Sequence, residues 1–246
     1  MRFSVLIPTT RPDLLPRALA SVARQTLPPA EVLVLHDGGP PLALGTWPFP
    51  LRSLGIMPQL GPGSARNVLA AAATAERLGF LDDDDEWLPE HLAHLAEGAA
   101  DALIFTDAWL HHDDEEWVRP FAFRFTPQLL RSTNPIILST TAVSRTAFWR
   151  VGGFDPALRR YEAWDLFLRL QEAGVPLRRI AGADVNYHFS NRSLTADDAA
   201  MSDAFTAFCQ RHNLDIQRKS FASMLDDPEL RHVRADVDDI GTGAVE

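Results

Sequence analysis

Short apolar runs alternate with amphipathic stretches along the first third of the chain. FSVLI (3–7) and EVLVL (31–35) are predicted to be buried strands, because they are short, apolar and rich in β-branched residues. Between them, Leu15, Leu19 and Val22 recur at helical spacing. This order predicts a parallel, doubly wound sheet of the Rossmann type with helices on both faces.

The remaining elements follow from the same periodicities and from turn residues. Before residue 110 we predict a weaker strand near 51–56, a helix over 65–78 with Ser64 as its N-cap, a short strand ending at Leu81 and a strand over 102–110. Beyond it we predict a hairpin tip at 111–116, helices over 141–150 and 162–173, and strands in VPLRRI and DVNYHF. The charged, poorly periodic end of the chain is expected to be loosely ordered.

Charge and composition narrow the class of protein. The net charge of -10 disfavours nucleic-acid binding, which needs a basic face. The single cysteine, Cys209, excludes an intramolecular disulfide. The chain shows neither a signal peptide at MRFSVLIPTTRP nor an apolar run of about 20 residues, so a cytoplasmic protein without a transmembrane segment is expected.

The stretch LGFLDDDDEWLPEHL, residues 78–92, places five carboxylates directly after an apolar run. Mg²⁺ and Mn²⁺ prefer carboxylate oxygens and commonly bind through one or two of them plus substrate phosphates. If the chain is extended here, alternate aspartates point to the same side. A cation site and a solvated acidic turn that precedes a helix both fit the pattern, and Asp85 and Glu86 are expected to begin that helix.

Other polar residues also follow predicted strands and should meet at the same sheet edge, where open α/β sheets bind ligands. Thr9 follows the first strand and Asp37 the second, where Asp37 either accepts a hydrogen bond from a ligand or only forms a turn. In GPGSARN (61–67), a glycine-rich helix start suits phosphate, and Arg66 is either a ligand contact or a surface side chain. His188 ends a strand and could reach a metal or a diphosphate.

Taken together, four stretches in series resemble the family 2 glycosyltransferases, an inverting family with the GT-A fold. They are SVLIPTTRPDLLPRALASVARQTLPPAEVLVLHDGG, GPGSARN, FLDDDDEWLPEHL and AVSRTAFWRVGGFDPALRRYEAWDLFLRLQEAG. The resemblance covers most of residues 1 to 190. It implies a nucleotide-sugar-binding half over 1–106, an acceptor-binding and catalytic half of the same domain over 107–215, and a C-terminal tail over 216–246.

The resemblance also assigns roles to residues. Asp82-Asp83-Asp84 looks like the DXD motif, which implies nucleotide contacts from Asp82 and Asp83 and a metal ligand in Asp84. Thr9, Asp37 and Arg66 would contact the nucleotide, and His188 could complete the metal site. The implied donor is a UDP- or dTDP-linked sugar with Mg²⁺ or Mn²⁺. The implied acceptor is a hydroxyl of a glycan, a lipid-linked molecule or a small molecule.

One departure from the family pattern concerns the catalytic base. Where the family commonly has Glu-Asp-Trp-Asp, this chain has Glu162-Ala163-Trp164-Asp165. Inversion by direct displacement needs a base opposite the leaving group, and Ala163 cannot supply one. Glu162, placed first, or Asp165 could act instead, or the register of the motif could be shifted locally. The alternative function is a degenerate or non-catalytic nucleotide-sugar-binding protein that has lost this base.

Overall fold

Four parallel strands form one half of the sheet in the computed structural model, which describes residues 1–190 and 198–235. They are β1 (Phe3–Thr9), β2 (Glu31–Asp37), β3 (Leu51–Ile56) and β4 (Arg77–Phe80), in the spatial order β3-β2-β1-β4. Helix α1 (Leu15–Ala23) packs on one face of this half and helix α2 (Pro62–Ala72) on the other.

Strand β1 shows why both faces are covered. Val5 and Ile7 pack into the same apolar cluster as Leu15 of α1, whereas the intervening Leu6 packs with Leu69 of α2. Successive side chains of a strand point to opposite faces, so an unbroken apolar strand needs a helix on each side. The predicted Rossmann-like sheet flanked by helices is confirmed in this half.

The second half of the sheet is mixed. Its strands are β5 (Glu86–Trp87), β6 (Leu103–His112), β7 (Trp117–Phe121), β8 (Thr141–Ser144) and β9 (Leu177–Phe189). The full order is β3-β2-β1-β4-β8-β6-β9-β5, with β7 paired to β6. Strand β8 runs antiparallel to both β4 and β6, whereas β6 and β9 are parallel.

The helices of this half lie around the mixed strands. They are α3 (His91–Glu97), α4 (Pro127–Ser132), α5 (Arg145–Arg150), α6 (Glu162–Glu172), α7 (Asp198–His212) and α8 (Phe221–Asp226), with 3-10 turns at Leu138–Thr140 and Pro228–Val233. Within the ranges 1–190 and 198–235, no helix is both long and apolar enough to cross a membrane.

Three local predictions were wrong because strand pairing overrode local propensity. The helix predicted over 65–78 begins at Pro62 and ends at Ala72, because residues 77–80 pair with β1. Ser64, predicted as its N-cap, lies inside the helix, and the N-cap position is Gly61, which has no side chain to cap it. Residues 141–144, predicted as helix, form β8, and Ser144 caps α5 instead. Glu86 does not begin a helix: Glu86 and Trp87 pair with β9.

The end of the described chain is ordered, contrary to expectation. Helix α8 and the following 3-10 turn bury Met224, Leu225 and Leu230 against the main apolar core. The expectation of a loosely ordered tail from residue 216 was therefore wrong for residues 221–233, because three apolar side chains anchor an otherwise charged segment. Residues 236–246 of that predicted tail lie outside the described residues.

Candidate functional site

The polar residues that follow β1 and β4 meet at one edge of the sheet. The Thr9 hydroxyl donates a hydrogen bond of 2.6 Å to Asp83 Oδ2, although 74 positions separate the two residues. Parallel pairing of β1 with β4 brings their carboxyl ends side by side, which is why these residues meet. The predicted convergence of Thr9 with the acidic run is present in the structure.

The four aspartates after β4 alternate between an accessible and a buried side. The side chains of Asp82 and Asp84 are 29% and 27% exposed, whereas that of Asp83 is 8% exposed and Asp85 is fully buried. Asp85 N–H donates to the Asp82 carbonyl, so the run forms a turn, and we call Asp82–Asp85 the acidic turn. Only Asp82 and Asp84 present carboxylates that a ligand could reach.

The buried pair of the acidic turn is held by the protein itself. Asp83 accepts from Thr9 and from Arg11, whose Nη2 lies 3.0 Å from Asp83 Oδ1. Burial, together with the charges of Asp82 and Asp84, raises the pKa of Asp83 despite the contacts with Thr9 and Arg11. The side chains of Thr9 and Asp83 thus fix the turn, and their nucleotide contacts stay predictions.

Asp85 lies on the buried side of the acidic turn. It accepts a hydrogen bond from the Ser139 hydroxyl and one of 3.0 Å from His188 N–H. Complete burial, reinforced by Asp84 and Asp82, raises its pKa well above the ordinary value. Sequence reasoning missed Ser139, which lies in a 3-10 turn more than fifty positions away and has no motif around it.

Asp37 fastens the end of β2 to the start of α2. Its two carboxylate oxygens accept from Leu60 N–H at 2.7 Å and from Gly61 N–H at 2.8 Å, and the residue is buried. Gly61 has φ of +93°, a conformation that favours glycine. Asp37 is therefore part of the frame of the site, and its contact with a nucleotide stays a prediction.

Arg66 bridges the acidic turn and helix α6. Its guanidinium binds Asp82 Oδ1 and lies 3.2 Å from Glu162 Oε1, and only 4% of the residue is exposed. Burial alone would lower the pKa of Arg66, but the charges of Asp82 and Glu162 outweigh it and raise the pKa. Arg66 is not a surface side chain, because it joins two carboxylates across the site.

Glu162 begins helix α6 and faces this site. Burial is the largest cause that raises its pKa above the ordinary value, although the Arg66 charge opposes it. A Cβ on Gly63 of α2 would lie 3.3 Å from Glu162 Cγ, so the absence of a side chain at Gly63 permits this close approach. Ala163, by contrast, packs against apolar core residues.

The structure excludes Asp165 from this site. Its carboxylate is fully buried and binds Arg169 Nε at 2.8 Å, His212 Nε2 at 2.9 Å and Arg211 Nε at 3.1 Å. These groups link α6 to α7. The expectation that Asp165 could act as a base was wrong, because a carboxylate buried among three such partners cannot reach a substrate hydroxyl.

Two arginines of the N-terminal region complete the electrostatics of the acidic turn. Arg11 Nη2 also lies 2.6 Å from Asp84 Oδ2, and Arg17 donates to the Asp84 backbone carbonyl. Sequence reasoning missed both residues. The signal that could have found them is the basic residues just after β1 and in the first turn of α1, beside a predicted acidic edge.

His188 lies beside the acidic turn, because its backbone N–H donates to Asp85 Oδ1. Its ring stacks on His111 with centroids 4.6 Å apart, and its Nδ1 is 2.9 Å from Asp113 Oδ1. Across 1–190 and 198–235, no three His, Cys, Asp or Glu side chains form a ready metal cage. The accessible Asp84 carboxylate fits a Mg²⁺ or Mn²⁺ ion that takes its other ligands from phosphates, and a role for His188 stays a prediction.

This chain is similar to known proteins in sequence and in fold. Residues 57–156 match the family model "Glycosyl transferase family 2". The "Uncharacterized glycosyltransferase YwdF" of Bacillus subtilis is 27% identical over 96% of this chain and 93% of its own length. The "Succinoglycan biosynthesis protein ExoW" of Rhizobium meliloti is 39% identical, over 37% of this chain and 32% of its own.

Solved structures resemble the fold. The crystal structure of S. aureus TarS 1-349 in complex with UDP-GlcNAc superposes with a TM-score of 0.65 and 17% identity, covering 88% of this chain and 68% of that one. A structure of the same TarS fragment covers 76% of this chain, which spans 60% of the fragment. At this identity the likeness concerns the fold alone.

Proposed function

Because this chain belongs to glycosyltransferase family 2 and has the GT-A fold, we propose that it transfers a sugar from a UDP- or dTDP-linked donor to an acceptor hydroxyl, with inversion at the anomeric carbon. The acceptor is a glycan, a lipid-linked molecule or a small molecule. A UDP donor is supported by the TarS structures with UDP-GlcNAc and with UDP, whose fold this chain shares.

The observation that carries the proposal is the bridge through Arg66. It binds Asp82, on the accessible side of the acidic turn, and Glu162, at the first turn of α6. A donor held along the acidic turn would thus present its anomeric carbon toward a carboxylate with a raised pKa. Sugar transfer needs a group that binds the donor and a base that accepts the acceptor proton at the same site, and Asp82 and Glu162 are our candidates for these two roles.

A divalent cation fits the accessible part of the acidic turn. Asp84 would hold Mg²⁺ or Mn²⁺ together with the donor diphosphate, with His188 as a further candidate ligand. When bound, such an ion neutralises charge that develops on the leaving diphosphate. Asp82 and Arg66 would contact the nucleotide, while Asp37, Thr9 and Asp83 hold the two loops that border it.

Glu162 is our candidate for the base. Its carboxylate would accept the proton of the acceptor hydroxyl as that oxygen bonds to the anomeric carbon and the nucleoside diphosphate leaves. Burial raises the pKa of Glu162, and a carboxylate with a raised pKa is a stronger base once it is deprotonated. This assignment places the function of the missing aspartate on the residue directly before Ala163.

The test is a comparison of UDP binding and sugar turnover in the native protein, Asp84→Asn and the control Asp226→Asn. Asp226 is exposed and pairs with Arg119, outside the acidic turn. We expect Mn²⁺-dependent UDP binding in the native protein and the control. We expect donor turnover to fall by about 100-fold or more in Asp84→Asn, the order of magnitude for loss of a transition-state charge contact.

Full turnover of Asp84→Asn with Mn²⁺ present contradicts the metal assignment. Binding of UDP without turnover over a broad acceptor panel favours the alternative of a degenerate binding protein. In that case Ala163→Asp supplies a carboxylate at the position that the family commonly uses. A gain of turnover in Ala163→Asp would identify this chain as an enzyme that has lost its base.

A further inference from the structure

Arg11 contacts both central carboxylates of the acidic turn at once. Its Nη2 lies 3.0 Å from Asp83 Oδ1 and 2.6 Å from Asp84 Oδ2. A guanidinium that bridges two adjacent carboxylates neutralises their mutual repulsion. Arg11 therefore supplies, from the protein, the positive charge that a bound cation would otherwise supply at Asp84.

The two ends of Arg11 differ in how firmly they are held. Its backbone N–H donates to Thr9 Oγ1 at 3.0 Å, so the main chain is tied to the buried side of the turn. Its side chain is 50% exposed, in contrast to the 5% of the Arg66 side chain. The Arg11 guanidinium can thus leave Asp84 without opening the core or breaking the bond between Thr9 and Asp83.

Asp84 has two arginine contacts, a fixed one at its backbone carbonyl and an exchangeable one at its carboxylate. Arg17 donates to the Asp84 backbone carbonyl and also lies 3.6 Å, through Nε, from Glu86 Oε1. That contact fixes the main chain and leaves the carboxylate untouched. Arg11 binds the carboxylate itself, the group that a hard cation prefers.

We propose that Arg11 is an internal counter-ion of the acidic turn and that a divalent cation competes with its guanidinium for the Asp84 carboxylate. The inference rests on the proposed function, since it takes Asp84 as the metal-binding carboxylate. Released from Asp84, Arg11 keeps its contact with Asp83. The N–H groups that it does not use there can then donate hydrogen bonds to the bound sugar nucleotide. Arg11 is a positioning residue in this scheme, and it sets how much metal the protein needs before donor binds.

The test measures Mn²⁺ affinity directly, by calorimetry or by the electron paramagnetic resonance signal of free Mn²⁺, with and without UDP. Arg11→Gln removes the competing charge, so its Mn²⁺ dissociation constant should fall by about fivefold or more. Arg24→Gln is the matched control: it removes the same charge from a half-exposed arginine that pairs with Glu86 at 3.4 Å. We expect a change of less than about twofold there, because screened surface charges couple weakly.

Arg11→Lys guards against a folding defect. It keeps the charge but cannot bridge two carboxylates as a planar guanidinium does, so its Mn²⁺ affinity should lie between those of the native protein and Arg11→Gln. Unchanged or weaker Mn²⁺ binding in a folded Arg11→Gln overturns the competition. An equal gain in Arg24→Gln also overturns it, because the effect would then be general electrostatics.

The two proposals fail in different ways. If the native protein and Arg11→Gln both bind no Mn²⁺ with or without UDP, the metal site of the proposed function is wrong. If the native protein binds Mn²⁺ and UDP while Arg11→Gln matches it, only the role of Arg11 is wrong.

Discussion

Arg66 Nη1 lies 3.2 Å from Glu162 Oε1, so an ion pair joins α2 to the first residue of α6 across 96 positions of sequence. Both side chains are largely buried, at 5% and 14% exposure. The pair lies between the acidic turn and the helix that carries the altered family motif. The charge of Arg66 lowers the pKa of Glu162, so a change at Arg66 should change how readily Glu162 takes up a proton.

Replacement of Glu162 by glutamine should abolish most turnover while UDP binding persists. The amide cannot accept the acceptor proton, and loss of a general base costs about 100-fold to 10,000-fold in rate. Turnover and UDP affinity should be measured in parallel. Glu172→Gln is the control, since Glu172 ends the same helix, is exposed and pairs with Arg131. Native turnover in Glu162→Gln would show that another group is the base.

The decrease of kcat/KM at low pH should follow the protonation of Glu162. Burial raises its pKa above the ordinary value of 4.5, so the residue gains its proton at a higher pH than a solvated glutamate. The base must be deprotonated to act, and turnover should therefore fall as pH decreases through that raised pKa. A pH profile of kcat/KM checks this, and Arg66→Gln should move this acid limb to still higher pH because a neighbouring cation is lost. An acid limb unaffected by Arg66→Gln would contradict the coupling.

Asp165→Asn should destabilise the fold without a specific effect on chemistry. Asp165 is fully buried and binds Arg169, Arg211 and His212, so neutralising it removes the carboxylate that pairs with the largely buried Arg169 guanidinium. We expect the free energy of unfolding in urea to fall by about 3 kcal/mol, the order observed when one partner of a buried ion pair is lost. Asp155→Asn, which affects the more exposed contact with Arg211, should cost less. Turnover per folded Asp165→Asn molecule should remain near native.

Glu31 should contribute to stability above about pH 4.5 and lose that contribution toward pH 2. Burial alone would raise its pKa, but hydrogen bonds from Ser4 and Thr74 and the Arg52 guanidinium lower it from 4.5 to about 2. A depressed native pKa means that the unfolded chain binds the proton first as pH falls, so stability drops across that window. Glu31→Gln should lower the free energy of unfolding at pH 7 by about 2 kcal/mol. Its stability should also vary less than the native between pH 4.5 and 2, in denaturant titrations at each pH.

The sequence by itself determined the parallel half of the sheet. Val5, Leu6 and Ile7 are consecutive apolar residues, and such a run is stable only where helices cover both faces. The same logic placed Thr9 and the acidic run at one sheet edge, because the carboxyl ends of parallel strands lie together. These predictions depend on short-range pattern and on a topological rule, so they need no knowledge of distant contacts.

Tertiary structure decided which carboxylates of the acidic turn are accessible to a ligand. Asp82 and Asp84 stay accessible, while Asp83 and Asp85 turn inward to Thr9, Arg11 and Ser139. Five neighbouring carboxylates look alike in a sequence, and their burial depends on partners up to 74 positions away.

The sequence likewise could not show which of the two carboxylates beside Ala163 faces the site. Glu162 and Asp165 lie three positions apart on one helix, yet Glu162 faces Arg66 and Asp165 is enclosed by α7. Helical periodicity places both on a similar side of α6 and cannot say which neighbour covers each. The packing of α2 and α7 against α6 made that choice, because burial and charge partners come from elements that the local pattern does not contain.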